Sequence, residues 1–369
     1  MGELRGYSEP DLVRLVDTSL RAFSVSALRP LAGVQDGKVA GPLATLLRSR
    51  GKRIRPVFTL YGAALGGAGE LTGALLKAAT ALELFHLFAL IHDDIIDNAE
   101  SRRGNPSLHR LYGEDLDDPP ANTQADQRAR NMAMLAGDLV LCWANVSFQE
   151  AIDGAASAKT ARTLFDQMTT EIMVGQAMDM CHEGHFLNLT EETTAKIVEY
   201  KTARYTFLRP MQIGAALAGA DAETIDSYHD FALPLGRAFQ LRDDLIGAFD
   251  DGSEGKSGTT DLECGKPTEL MRYAVANANP ASVTKLLSVV GRPATDAAST
   301  AAAREILLES GAVKHITAEI EKSAEAAERA LRGLRGEPWL EKRLSAHLKR
   351  LFVIPGVPQA VRTELENVI

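Results

Sequence analysis

The stretch Leu82-Glu83-Leu84-Phe85-His86-Leu87-Phe88-Ala89-Leu90-Ile91 is too apolar for a surface helix, and it runs into Asp93-Asp94-Ile95-Ile96-Asp97. The pattern recurs once: Phe231 to Leu241 is similarly apolar and leads into Asp243-Asp244-Leu245-Ile246-Gly247. A helix puts Asp93 and Asp97 one turn apart on the same face. Like charges at that spacing repel, and carboxylates that end a buried helix are costly unless paired or metal-bound. A cation must sit between them. An oxygen-only donor set suits Mg²⁺, which typically takes one or two protein carboxylates and completes its sphere with water and phosphate oxygens. A single Asp-Asp-x-x-Asp is usually a solvated helix end. The second copy, behind a second apolar helix, moves the reading to a metal site.

Helical periodicity dominates the rest of the chain, without a convincing run of alternating strand residues. The expected fold is all-α, with helices over roughly 9–28, 38–49, 55–66, 69–98, 125–153, 156–183, 191–219, 222–250, 266–278, 281–290, 297–310, 312–333, 337–350 and 357–368. Thr190 fits an N-cap, with Glu191 and Glu192 in the first turn. No linker interrupts the pattern, so residues 1–369 are expected to form a single domain. The composition, 45% hydrophobic and 24% charged, is that of an ordinary globular chain.

A net charge of −9, from 40 basic and 49 acidic residues, disfavours nucleic acid as a partner. The expected location is the cytoplasm. Cys142, Cys181 and Cys264 are isolated, as in a reducing compartment; the N-terminus lacks a signal-peptide core, and no uninterrupted apolar run reaches membrane-spanning length. Basic residues are nevertheless concentrated at Arg48, Arg50, Lys52, Arg53 and Arg55. With Gly51 allowing a tight turn and Pro56 opening the next helix, this segment reads as an anion-binding corner. Two loops stand apart: an acidic one at 113–124, to which no chemistry is assigned, and a Gly-rich one at 251–265. The second carries Lys256, has Lys266 just beyond it, and is suited to folding over phosphates.

Taken in order, these residues resemble the trans-isoprenyl diphosphate synthase, or polyprenyl synthetase, family, and its geranylgeranyl diphosphate synthases in particular. Gly51-Lys52-Arg53-Ile54-Arg55-Pro56 looks like the family's GKR-x-RP element, and His86, seven residues before Asp93, like a third diphosphate ligand. Asp93, Asp94 and Asp97 match the first Asp-rich motif, and Arg102-Arg103-Gly104 the RRG after it. Gln176 and Asp179 match GQ-x-x-D, Lys201 and Thr202 the KT pair, and Phe239-Gln240-x-x-Asp243-Asp244 the second Asp-rich motif. Lys256 and Lys266 match later diphosphate contacts. The match covers roughly residues 40–350. Gly247 departs from it, standing where many members have a third Asp.

The resemblance implies an isoprenoid synthase-type helical bundle around a central apolar cavity. It implies an enzyme that ionises an allylic diphosphate (dimethylallyl, geranyl or farnesyl), adds the cation to isopentenyl diphosphate and loses a proton. It assigns about three Mg²⁺ ions, replaceable by Mn²⁺, to Asp93, Asp97 and Asp243. Arg102, Lys201 and Lys256 would contact the allylic diphosphate, and Lys52, Arg55, His86 and Arg103 the isopentenyl diphosphate. Thr202 and Gln240 would guide the cation and the proton. A homodimer is also implied.

In the family, an aromatic residue five positions before the first motif and a small one four before, with no insertion inside the motif, go with C20 products. Here these are Phe88 and Ala89, with Phe85 close to the same wall. Farnesyl or longer products, a class I terpene cyclase and a non-catalytic partner subunit are the competing readings. A cyclase normally needs an Asn-x-x-x-Ser-x-x-x-Glu-type second site, not found here, and has no use for Lys52, Arg55 and His86. Partner subunits typically lose Asp-cluster residues that this chain keeps.

Overall fold

The computed structural model describes residues 2–102, 104–115, 123–249, 261–292, 297–334 and 336–351. These are overwhelmingly helical. Among them the only sheet is a two-residue antiparallel ladder, β1 (Ser101–Arg102) with β2 (Asn105–Pro106). Close contacts divide the described residues into two units.

The first unit holds residues 2–162 and 213–220. It contains α1 (Glu9–Leu28), α2 (Ala40–Leu47), α3 (Ile54–Leu65), α4 (Gly73–Ile96), α5 (Leu108–Asp115) and α6 (Thr123–Ile152). A capping box between Ser8 and Asp11 starts α1, and the Thr72 hydroxyl accepts from Leu75 N at 3.2 Å to start α4. Helix α4 is apolar on nearly every side, with Leu84, Phe85 and Leu87 fully buried, as expected of a central helix. It packs most extensively on α6. There Gly137 admits the His92 ring: a Cβ at Gly137 would sit 2.5 Å from His92 Nε2.

The second unit holds residues 163–212, 221–249 and 261–351. It takes in most of α7 (Ala158–His182), then α8 (Glu191–Ile197), which runs without a break into a π-helical segment (Val198–Leu208) and on into α9 (Arg209–Leu217). It continues through α10 (Ala222–Ser227), α11 (His229–Phe249), α12 (Asp261–Cys264), α13 (Glu269–Asn277), α14 (Pro280–Val289), α15 (Ala297–Glu309), α16 (Ala312–Gly333) and α17 (Pro338–Leu351). Its core joins Leu241, Leu245 and Phe249 of α11 to Leu270, Leu307, Ile316 and Ile320.

Most expected helices appear within a few residues of their predicted limits, and Thr190 caps α8 by accepting from Thr193 N at 3.2 Å. Five differences stand out, the first being that α12 (Asp261–Cys264) occupies the end of the Gly-rich 251–265 segment expected to be a loop. The 191–219 helix changes hydrogen-bond register over Val198–Leu208. The 222–250 helix is two, α10 and α11. Helix α5 was not anticipated; it reaches Asp115 and so takes in the first residues of the acidic 113–124 segment. The tight turn expected at Gly51 has its left-handed residue at Arg53 instead (φ 50°). Residues 116–122, 251–260 and 357–368 lie outside the described residues.

Two helices, Gly73–Ile96 and Gln124–Ile152, are long and apolar enough to cross a membrane by length and composition, although charged residues such as Lys77, Glu83 and Asp138 interrupt both apolar runs. Two thirds of the apolar window in the first is buried inside the protein (67%), as for a core helix.

Candidate active site

At the C-terminal end of α4, Asp93 and Asp94 lie in the last turn and Asp97 is the C-cap, its amide donating to Asp93 O at 2.8 Å. This is the negative end of the helix dipole, which adds to the mutual repulsion of the carboxylates. Asp94 is turned inward and 3% exposed, while Asp93 and Asp97 are half-buried. Arg102 answers the charge: its Nε donates to Asp94 Oδ1 at 2.7 Å and its Nη2 lies 3.4 Å from Asp93 Oδ2. Burial pushes the Asp94 carboxyl up to about 6, outweighing the downward pull of Arg102, and Asp93 and Asp97 push the same way. Burial draws the Arg102 guanidinium down, but Asp94, Asp93 and Asp97 more than offset it and hold it above its ordinary value.

The end of α4 is fixed from outside as well. Arg130 of α6 donates to Ile95 O at 3.2 Å and also to Asn98, while Arg110 of α5 reaches Asn98 Oδ1 at 3.2 Å and Glu100 at 2.7 Å. Asn98 is left-handed (φ 51°), a conformation that asparagine tolerates better than most residues. Orphan carbonyls at a helix end need such partners.

Among the described residues no three His, Cys, Asp or Glu side chains converge into a ready-made metal cage. The donors still fit Mg²⁺, which binds through one or two carboxylates and leaves the remaining positions to water and phosphate. Asp93 and Asp97 are such a pair, one helical turn apart.

Arg53 shapes the basic corner. Only 4% exposed, it donates to Asp17 Oδ1 on α1 at 2.8 Å and to Ser49 O at 2.7 Å, and it pairs with Glu83 of α4, itself 1% exposed. Burial lowers its pKa, yet Glu83 and Asp17 outweigh that and raise it overall. These bonds hold the left-handed turn and leave Lys52 exposed and Arg55 half-buried at the N-terminus of α3. Backbone amides there favour anions. Further along α4, His86 is half-buried, about 10 Å before Asp93 along the axis. Phe85 and Phe88 are buried and meet edge to face, with ring centroids 5.3 Å apart, and Phe88 also lies 4.8 Å from the His92 ring; Ala89 is half-buried.

In the second unit two glycines allow close backbone approach. A Cβ at Gly175 of α7 would lie 2.5 Å from Lys201 N, and one at Gly236 of α11 would lie 2.4 Å from Ala203 Cα. The π-helical segment is thereby wedged against both helices. Such registers recur at functional sites. Lys201 Nζ pairs with Asp179, next to Gln176 on α7. Thr202 Oγ1 donates to Gln240 Oε1 at 2.5 Å, and Gln240 Nε2 donates to Asp244 Oδ1 at 2.7 Å. Asp244 is 6% exposed and its neighbour Asp243 half-buried. Glu171 anchors the far side, accepting from Arg204 at 2.7 Å and from Arg209 at 2.6 Å and 2.8 Å. Burial raises the Glu171 carboxyl, but these two arginines outweigh it and lower the pKa overall. Lys266 is half-buried beside left-handed Gly265 (φ 68°), whose carbonyl accepts from Gly184 N at 3.1 Å.

The structure thus joins Asp93, Asp94 and Arg102 in one cluster and Thr202, Gln240 and Asp244 in another. Arg103 and Lys256 lie outside the described residues. Arg130, Asn98 and Glu171 were not singled out from the sequence, and Arg53 only as one member of the basic run; the glycines inside apolar helices, Gly137, Gly175 and Gly236, were the available signal of close approach.

The polyprenyl synthetase family model matches residues 37–307, and the chain belongs to that family. It is 33% identical to a short chain isoprenyl diphosphate synthase of Methanothermobacter thermautotrophicus, over 79% of this chain and 80% of that protein. It is 30% identical to a geranylfarnesyl diphosphate synthase of Aeropyrum pernix, over 75% and 82% of the two chains. Among solved structures, a geranylgeranyl pyrophosphate synthase of Corynebacterium glutamicum, complexed with isoprenyl diphosphate and magnesium, superposes with a TM-score of 0.86. That match has 29% identity and covers 94% of this chain and 99% of that one.

Proposed function

We propose that this protein is a chain-elongating prenyltransferase that condenses isopentenyl diphosphate with allylic diphosphates and yields mainly geranylgeranyl diphosphate. The observation that carries the reading is α4 itself: one helix presents paired carboxylates at its tip and a wall of buried rings behind them. Asp93, Asp97 and Asp243 are the residues that would hold divalent ions, which when bound absorb charge on the departing pyrophosphate. Lys52, Arg55, His86 and Arg103 bind isopentenyl diphosphate; Arg102, Lys201 and Lys256 bind the allylic diphosphate, with Gln176 and Lys266 as further diphosphate contacts. Arg102 also keeps Asp94 paired. Thr202, held by Gln240, lines the path of the cation, and the Gln240–Asp244 bond fixes the amide orientation.

The C20 preference rests on Phe88, about 7 Å below Asp93 along the axis, with Phe85 about 12 Å below. Both rings are buried and braced, Phe88 by Phe85 and His92. A tail growing along this wall meets packed rings after a few isoprene additions.

The whole chain acts as one catalytic domain and works as a homodimer. Exposed apolar residues on α6 (Met134, Leu135, Val146) support an interface on that helix. Free thiols at Cys142, Cys181 and Cys264 suit a reducing cytoplasm.

Incubation with isopentenyl diphosphate plus each allylic diphosphate and Mg²⁺, followed by mass analysis, tests this reading. Elongated diphosphates ending at C20 are expected. Cyclised hydrocarbons, or no turnover without a second polypeptide, would overturn it in favour of a cyclase or a partner subunit.

A further inference from the structure

A pocket of about 940 Å³ opens between α1 and α2, within the first unit; of the residues assigned above only Arg48, the first of the basic run, lines it. Its size falls in the range of small-molecule sites. Helix α1 contributes Arg21, Val25 and Leu28, spaced on one helical face, and α2 contributes Ala40 and Ala44, with its C-cap Arg48 following at the same spacing. The small residues of α2 set that wall back, which is what makes room. Val25 is 72% exposed, an unusual state for a valine in the wall of a concave apolar surface.

The charge around this pocket is one-sided. Arg21, Arg29 and Arg48 line it, and no carboxylate does among the described side chains. None of these three guanidiniums has a hydrogen-bond or ion-pair partner among the described residues. Four other arginines of this unit, Arg53, Arg102, Arg110 and Arg130, hold carboxylates. An apolar floor with uncompensated guanidiniums at its edge complements a molecule with an apolar chain and a compact anionic head. Guanidinium forks match phosphate oxygens in particular.

We propose that the α1–α2 pocket is a second binding site for a prenyl diphosphate, the product class of the chain's own reaction, separate from the condensation site. The proposal rests on the prenyltransferase reading, which supplies the amphiphile. Binding there reports on the basic corner, because Arg53 ties Asp17 of α1 to Ser49 at the end of α2. The bound product therefore acts as a feedback ligand that weakens isopentenyl diphosphate binding.

Titration calorimetry of the full chain with geranylgeranyl diphosphate and Mg²⁺ tests this. Wild type is expected to bind two molecules per chain. The Arg21→Glu/Arg29→Glu variant, which reverses two exposed and unpartnered charges, should bind one, and the second affinity should fall at least about tenfold. Its turnover should stay within about twofold of wild type, while product inhibition against isopentenyl diphosphate is lost. Ala44→Trp, which fills the pocket from the other wall, should give the same stoichiometry. One molecule per chain in wild type and variants alike would overturn the proposal. So would retention of two sites in both variants, or equal binding of uncharged geranylgeraniol. One site per chain together with variant-sensitive binding to phosphatidylglycerol vesicles would assign the face to a membrane surface and overturn it; a variant-sensitive change in sedimentation would assign it to a second copy. Two sites in a chain without condensation activity would leave the pocket standing and remove the catalytic reading.

Discussion

Gly236→Ala adds one methyl group where α11 crosses the π-helical segment. The new Cβ would sit 2.4 Å from both Cα and Cβ of Ala203 and 3.3 Å from the Phe207 ring. Ordinary carbon contacts lie near 3.5–4 Å, so the two backbones must part by roughly 1 Å or more. Thr202 Oγ1 and Gln240 Oε1 flank this crossing at 2.5 Å, and a parting of that size takes them beyond hydrogen-bonding range. Overpacking costs about 1–3 kcal/mol, and the broken side-chain bond about 1 kcal/mol more. The expected result is a urea-unfolding free energy lowered by about 2–4 kcal/mol. Turnover should fall well beyond what the lost folded fraction explains, with the isopentenyl diphosphate KM little changed because Lys52 and Arg55 are untouched. Adding Ala203→Gly should rescue only part of the loss, since the Ala203 Cα is as close as its Cβ. Wild-type stability and turnover in Gly236→Ala would refute the claim that backbone approach at this crossing positions Thr202.

Phe88→Ala should shift products beyond C20, and Ala89→Phe should shift them toward C15; chain-length distributions after exhaustive reaction decide, and unchanged distributions with activity intact would remove α4 from length control. Arg55→Ala should raise the isopentenyl diphosphate KM far more than the allylic one, a loss on the order of 2–5 kcal/mol for a desolvated charge-assisted contact; equal effects would mean the subsites are interchanged. His109 is 1% exposed, with Nε2 buried and without a partner among the described residues, and burial, helped by Arg110 and Arg130, pushes its pKa down to about 4 from 6.5. A depressed histidine stabilises the fold above its unfolded pKa and loses that contribution as pH falls from about 6.5 to 4, by at most about 3 kcal/mol; His109→Gln should flatten urea-unfolding stability across that window, and an equally steep variant would contradict the assignment.

The sequence carried the helical content because apolar periodicity survives without knowledge of partners. It carried the two carboxylate clusters because charge at the end of an apolar helix has few uses. It did not carry the π register at Val198–Leu208, which depends on two glycines, Gly175 and Gly236, meeting that segment from helices distant in the chain. Arg53 looked like one more member of a basic run, and only the tertiary placement of Asp17 and Glu83 distinguishes it from Lys52 and Arg55. Likewise, nothing local marks Arg130 as the residue that caps α4. The pairing of Arg102 with buried Asp94 sits between these cases: both residues were legible as functional, but their mutual bond was not.

If carboxylate-held divalent ions drive ionisation of the allylic diphosphate, pyrophosphate release must depend on both the ions and the carboxylates. The most direct measurement is the rate of pyrophosphate release from farnesyl diphosphate and isopentenyl diphosphate, with Mg²⁺ and with excess chelator, for wild type, Asp93→Ala and Asp243→Ala. Release is expected in wild type with Mg²⁺ only, and turnover should fall by orders of magnitude in both variants with circular dichroism unchanged. Full turnover in chelator, or wild-type rates in either folded variant, would contradict it.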